Sequence, residues 1–227
     1  MLQVGLDISQ REMPDFVREN LTGHMSYVHL SGIDFADLEP TARNERIRSI
    51  SSEIGSLTLS NGSPDSDIWP LDSKTSPNGQ LVAGHTDNPF RERPEDIVAF
   101  WNVRSSSKGG ENVITPFPRI VRLAEQSQQM AELILKAYTK VIEFKFGDQA
   151  LRGTLIDYKA KTLRYDAKSI APEDNEFEPL FEEVVKVGDK IKLKPGEVLF
   201  FNNRRTIHAR LPYSDPNRLS IRTRMVV

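Results

Sequence analysis

The chain has 227 residues, 38% hydrophobic and 27% charged, which suits a soluble chain with one sizeable domain or two small ones. Its 30 Lys and Arg against 32 Asp and Glu leave a formal charge of -2, so it lacks the broad basic field that phosphate backbones require and no nucleic-acid partner is expected. Cysteine is absent, which excludes disulfides, thiolate nucleophiles and Cys-held zinc or iron–sulfur sites. No apolar run approaches the roughly 18 residues of a membrane span, and the start Met1-Leu-Gln-Val-Gly-Leu-Asp does not read as a signal peptide. The expected setting is cytoplasmic, with no membrane partner.

In chain order, residues 8–19 suit a short helix. A stronger helix is expected over 41–57, where Ile47, Ile50, Ile54 and Leu57 recur three or four apart. Residues 60–80 are rich in Ser, Asn, Asp, Gly and Pro and read as a loop rimming a site, since a ligand-like motif follows at once. Residues 97–103 form an apolar strand, stopped by Ser105-Ser-Ser-Lys-Gly-Gly. A helix is expected over 120–139, with Leu123, Met130, Leu133 and Ala137 inward. Short strands follow at 141–146, 152–158 and 162–165, with a turn at Gly147-Asp148. Acidic residues crowd 173–183, expected as a loop or lid. Strands at 190–194, 198–202, 206–209 and 219–226, with a turn at Pro195-Gly196, close the chain. Many short strands between Gly and Pro turns fit a mainly β fold with flanking helices around an antiparallel jelly-roll core, a double-stranded β-helix. We read a single domain over 1–227, with 1–80 a helical and loop cap and 81–227 the catalytic core.

The chemistry concentrates around two of the four histidines. His85 and Asp87 stand two apart in Gly84-His-Thr-Asp-Asn-Pro, and on a strand such positions face one side. With His208 on a facing strand they make two imidazoles and a carboxylate, a set that holds iron(II) with adjacent positions open. Zinc suits the same set, and an unrelated polar pair plus a histidine is the bland alternative. The last strand alternates, with Arg218, Ser220, Arg222 and Arg224 on one face and Leu219, Ile221, Thr223 and Met225 on the other. If the arginine face lines a cavity, a guanidinium there needs an anionic partner such as a dicarboxylate.

Four motifs, His85-Thr-Asp87-Asn-Pro-Phe, Gly109-Gly-Glu-Asn, Asn202-Asn-Arg-Arg-Thr-Ile-His208-Ala-Arg and Arg218-x-x-x-Arg222, appear in this order over residues 85–222. With them the chain resembles the iron(II)- and 2-oxoglutarate-dependent dioxygenases of the taurine dioxygenase and gamma-butyrobetaine hydroxylase superfamily, in particular the clavaminate synthase-like branch that acts on amino acids. The resemblance implies His85, Asp87 and His208 as iron ligands, Arg218 as the clamp on the distal carboxylate of 2-oxoglutarate, and O2 as the oxidant. It implies hydroxylation of an unactivated C–H bond in a small polar substrate, an amino acid or derivative, with release of succinate and CO2. Asp87 favours hydroxylation, since family halogenases have a small residue there. A desaturase or cyclase outcome, or a non-catalytic jelly-roll binding module, is the alternative.

Arg222 is expected at the substrate or supporting the same pocket. Asn112 stands where relatives carry a hydroxyl bonded to the co-substrate, and Asn203 and Arg205 are expected to organise the surroundings of His208. Asp166, in Arg164-Tyr-Asp, is either a contact for a substrate cation or a strand-end hydrogen-bonding group. The acidic residues at 173–178, His24 and His29 are expected in solvated or structural roles. The chain is short for the branch it resembles, which leaves open a wide site, a carrier-bound substrate or a homo-oligomer that completes the pocket.

Overall fold

The computed structural model describes residues 11–59, 66–72 and 80–227. Helix α1 (Met13–Thr22), strand β1 (Tyr27–Leu30) and helix α2 (Pro40–Ile54) come first, followed by β2 (Ser56–Leu57), β3 (Trp69–Leu71), β4 (Val82–His85), β5 (Ile97–Arg104) and β6 (Asn112–Pro116). Then come α3 (Phe117–Arg122), α4 (Gln128–Thr139), β7 (Ile142–Phe146), β8 (Gln149–Gly153), β9 (Ile156–Asp157) and β10 (Thr162–Leu163). The chain closes through α5 (Glu178–Lys186), β11 (Asp189–Ile191), β12 (Val198–Asn202), β13 (Thr206–Arg210) and β14 (Leu219–Val226).

The architecture mixes helices with several antiparallel sheets. One sheet runs β1-β12-β5-β14-β2, with β3 also on β14, and a second runs β11-β6-β13-β4. The period-2 alternation of the strands explains how both sheets are held. In β5, Ile97, Ala99, Trp101 and Val103 join Val198 and Phe200 of β12 in a core with α1 and α2. The intervening Val98 and Phe100, with Leu199 and Phe201, turn the other way and meet Ile114 of the second sheet. Both strands are buried on both faces, which is why they read as continuous apolar runs. Beyond the second sheet, Ile207 packs with residues of α3, α4 and α5 such as Ile120, Leu133 and Phe181.

Several expected elements are redrawn. α2 buries Ile47, Ile50 and Ile54 but stops there, and Leu57 lies in β2 opposite Met225. A Cβ on Gly55 would stand 2.7 Å from the Val226 carbonyl, so glycine lets the chain leave the helix against the edge of β14. Part of the expected 60–80 loop is β3, paired with β14 at Arg222↔Trp69 and Ser220↔Leu71; residues 60–65 and 73–79 lie outside the described residues. β1, β2 and β3 thus place residues before 80 in the same sheet as β5, β12 and β14.

The helix expected over 120–139 is two helices. Ser127 caps the second by accepting from the Met130 amide, and α3 has already ended at Arg122. The acidic 173–183 segment is not a loop throughout, because α5 begins at Glu178. Its buried Leu180, Phe181 and Val184 supply a helical face that the surrounding acids obscured in the sequence. Among the described residues, no helix is long and apolar enough to cross a membrane.

Candidate metal centre and adjoining cavity

β4 and β13 pair directly at His85↔His208, so the two imidazoles sit side by side with ring centroids 4.1 Å apart. Asp87 does not continue the strand. β4 ends at His85, and Asn88 takes φ 52°, a left-handed conformation that Asn tolerates better than most side chains. Asn203 fastens this turn, accepting from the Asp87 amide at 2.8 Å and donating to the Asp87 carbonyl at 3.0 Å. The Asp87 carboxylate then stands 3.6 Å from Nε2 of each histidine. The three side chains offer ligand atoms within 4.8 Å of one another, a spacing that one ion at the centre can satisfy.

The protonation states of Asp87 and His208 suit a metal. His85 Nδ1 lies 2.9 Å from the Ala83 carbonyl; with the proton on Nδ1, the Nε2 lone pair faces Asp87 and His208. Burial would lower the His85 pKa, but the hydrogen bond and charge of Asp87 outweigh it and the net shift is upward. Burial, and then the neighbouring His85, push His208 well below its ordinary value, so its ring is neutral. Burial opposes ionisation of Asp87, yet Arg222 and Arg224 hold it well below the carboxylate range. Arg222 Nη1 is 3.2 Å and Arg224 Nε 3.4 Å from Asp87 Oδ2. An ionised carboxylate and a neutral imidazole are the forms that ligate.

A cavity of about 410 Å³ opens beside the two histidines, lined among others by Phe100, Asn112, Arg210, Arg218 and Arg222. Arg218 is buried, and its Nη1 has no hydrogen-bond partner. An unpaired guanidinium nitrogen out of water is costly, and a carboxylate fits its planar fork. The chemistry of the site therefore fits both groups that the motifs implied, a divalent ion and a dicarboxylate.

The family model for taurine catabolism dioxygenases, TauD, TfdA family, matches residues 28–225. The chain belongs to this family. It is an iron(II)- and 2-oxoglutarate-dependent dioxygenase, with the two histidines and carboxylate at the expected place. Among solved structures it is similar to the non-haem iron oxygenase OrfP. For OrfP with Fe and alpha-ketoglutaric acid the TM-score is 0.70 at 19% identity, covering 95% of this chain and 80% of that one. For OrfP with Fe and L-Arg it is 0.68 at 18% identity, covering 96% and 80%. These likenesses concern the fold.

The other candidate residues of this TauD-family chain divide clearly. Asn112, Asp166 and Arg222 line the cavity. Asp166 carboxylate oxygens also accept from the Lys168 amide at 3.0 Å and the Ser169 hydroxyl at 3.3 Å, so the strand-end role is real. Thr86 positions this segment through paired hydrogen bonds with the Tyr165 backbone, and the Tyr165 ring stacks on Phe181 at 3.4 Å. Asn203 braces Asp87, not His208. Arg205 is elsewhere, donating to the Gly23 carbonyl at 2.6 Å, because its side chain leaves the β12–β13 turn toward the end of α1. His29 is structural, 3.0 Å from Glu197.

Sequence reasoning missed Glu95 and Arg210 and assigned Arg224 nothing beyond its place on the arginine face of the last strand. Glu95 is fully buried; its carboxylate accepts from Asn88 at 2.9 Å, Arg91 at 2.7 Å and Thr58 at 3.1 Å. The seven-residue spacing from Asn88 to Glu95 carries no periodic signal. For Arg210, its place two residues beyond His208 on one strand was the available clue.

Proposed function

We propose that this chain hydroxylates an unactivated C–H bond of a small polar substrate, an amino acid or amino-acid derivative, using iron(II), O2 and 2-oxoglutarate. One observation carries the reading: the His85, Asp87 and His208 cluster adjoins a cavity that also takes in Arg218, a buried cation whose Nη1 lacks a partner. His85, Asp87 and His208 hold the iron and leave adjacent positions open. Arg218, with Asn112 beside it, takes the distal carboxylate of the oxoacid. Iron(II) and 2-oxoglutarate, when bound, supply dioxygen activation, the oxoacid being released as succinate and CO2.

The protein's own part is to orient and enclose. Asn203 and Arg224 fix the Asp87 carboxylate, while Phe100 and Ala209 give the cavity apolar wall that excludes water. Lys168 and Arg222 place positive charge on its lining and Asp166 negative charge, a pattern suited to the carboxylate and ammonium of an amino acid. OrfP has been solved with L-Arg and with L-canavanine, which supports that substrate class. The cavity volume falls within the roughly 300–1,000 Å³ of small-molecule sites. In this reading the two main sheets form a double-stranded β-helix, and 1–227 is a single domain.

The test is an anaerobic titration of metal-free protein with iron(II) and then 2-oxoglutarate, beside Arg218→Ala. A weak visible charge-transfer band that needs both additions, and fades in the variant, is expected. Iron binding without that band removes the oxoacid from the reading; folded protein that takes no iron removes the enzyme. Amino acids that perturb the band then identify the substrate.

A further inference from the structure

A second cavity, of about 320 Å³, shares no lining residue with the one at the metal centre. Its walls come from β8, from the β9–β10 hairpin and the Arg164 that follows it, from Glu92, and from Arg204 in the turn between β12 and β13. Backbone hydrogen bonds tie these segments together. The Arg164 amide donates to the Leu155 carbonyl and the Leu163 amide to the Arg204 carbonyl, both at 2.8 Å. The recess is therefore built before any ligand arrives, which lowers the cost of binding one.

Three guanidiniums line it, those of Arg152, Arg164 and Arg204. Arg164 is fixed by backbone alone, donating to the carbonyls of Pro89 at 2.9 Å, Arg91 at 2.5 Å and Glu92 at 2.8 Å. Those carbonyls satisfy its N–H groups but bring no negative charge. Burial, and then the neighbouring Arg204, lower the Arg164 pKa. Arg204 reaches Asp96 only at 3.5 Å, and that carboxylate also meets Arg93 at 3.7 Å and accepts from the Val227 amide at 3.0 Å. Glu143, opposite Arg152 on β7, is taken by Lys145 at 2.5 Å. Two carboxylates, Glu92 and Asp157, share the lining, and Asp157 is engaged in its own turn with the Ala160 amide at 2.9 Å. Three cations against two acids leave positive charge in excess inside a recess, where solvent screens it less than on an open surface.

We propose that this cavity is a second ligand site that binds a small phosphate monoester, its anionic head held by Arg152 and Arg204 in the field of the fixed Arg164. Guanidinium forks match phosphate oxygens in pairs, and a monoester carries close to two negative charges at neutral pH. The volume lies within the roughly 300–1,000 Å³ of small-molecule sites, so an organic part fits beside the phosphate, with Glu92 to accept from its hydroxyls. None of His85, Asp87, His208 and Arg218 lines this cavity, and the inference stands apart from the oxygenase reading.

Calorimetric titrations of metal-free protein at low, constant ionic strength test this, with glycerol 3-phosphate and inorganic phosphate as probes. The proteins are wild type, Arg152→Gln, Arg204→Gln and Arg218→Ala, the last reporting any anion that enters the metal-centre cavity instead. Expected is one equivalent of glycerol 3-phosphate bound with a dissociation constant below about 1 mM, and more tightly than inorganic phosphate. Arg152→Gln and Arg204→Gln should each weaken it by about tenfold or more, while Arg218→Ala stays within about twofold of wild type. No saturable binding of glycerol 3-phosphate overturns the inference. So does binding that is lost in Arg218→Ala and kept in the other two variants, and so does equal affinity for the two probes, which leaves no place for an organic part. If Arg204→Gln does not fold, as judged by its thermal melt, the decision passes to Arg152→Gln, whose side chain is exposed: weakened binding there supports the inference and unchanged binding overturns it.

Discussion

Arg224 Nε lies 3.4 Å from Oδ2 of Asp87, in a site from which both side chains are almost wholly removed from water. The same guanidinium reaches toward Glu95, with Nη1 3.9 Å from Oε1, and Asn203 donates to the carbonyls of both acids, Asp87 at 3.0 Å and Glu95 at 3.1 Å. The carboxylate ligand is therefore steered from behind by a charge that is itself anchored. Arg224→Gln should weaken iron(II) binding by roughly 10- to 100-fold, the range for partners that orient metal ligands. Anaerobic competition with a chromogenic chelator measures it; affinity within twofold of wild type would leave Arg224 with only a packing role.

Glu95 should matter more for folding than for chemistry. Glu95→Gln leaves Arg91 and Arg224 facing a neutral group inside the protein, and breaking a buried pair costs about 3–5 kcal/mol. Because Arg91 is partly exposed, the lower end of about 3 kcal/mol is expected. Urea midpoints at constant slope report the loss.

The two glycines before β6 should respond differently to alanine. Gly109 and Gly110 have φ of 69° and 77°, where a Cβ is strained, but a Cβ at Gly109 would also meet the Pro212 carbonyl oxygen at 1.9 Å against backbone that cannot move aside. Gly109→Ala should lose several kcal/mol or fail to fold, and Gly110→Ala about 1–3 kcal/mol. Gly110→Ala should also weaken 2-oxoglutarate, since its contact is Arg218. Thermal melts and band titrations of the two proteins separate these effects.

Arg48 and Asp67 tie the segment leading into β3 to α2 through two hydrogen bonds, at 2.7 and 2.9 Å. Hydrogen bonding to Arg48 lowers the Asp67 pKa. A depressed carboxylate contributes stability above its unfolded pKa, near 3.9, and that stability fades as pH falls through the folded value. Arg48 is nearly half exposed, so Asp67→Asn should cost only about 0.5–1 kcal/mol at pH 7. The difference from wild type should shrink below pH 3, and chemical denaturation at the two pH values is the check. A cost that persists unchanged in acid would point to lost packing around Trp69 instead.

Removing a ligand should abolish linkage between metal and stability. Wild type should melt higher with iron(II) or manganese(II) under argon, because an ion that binds only the folded chain stabilises it. His208→Ala should show no such shift, and a retained shift would place the ion elsewhere.

The residue order alone carried the parts of this protein that depend on local pattern. The buried strands β5 and β12 are legible because continuous apolar runs suit strands covered on both faces, and the alternation of β14 already divided its arginines from Ile221 and Met225. The His85, Asp87 and His208 set was legible because only a few residue types ligate a metal. Local pattern misled where acidic residues hid the apolar face of α5, and where Leu57 continued a helical spacing that Gly55 and the edge of β14 cut short. What tertiary structure decided was the meaning of each charge. Arg224 and Glu95 lie 129 positions apart in the chain and meet only because β14 pairs with β5, which begins two residues after Glu95, and Arg205, in the same motif as Asn203, was turned away toward α1. Burial, not sequence spacing, sets whether an ionisable side chain is solvated, paired or left waiting for a ligand, and burial is a property of the assembled layers.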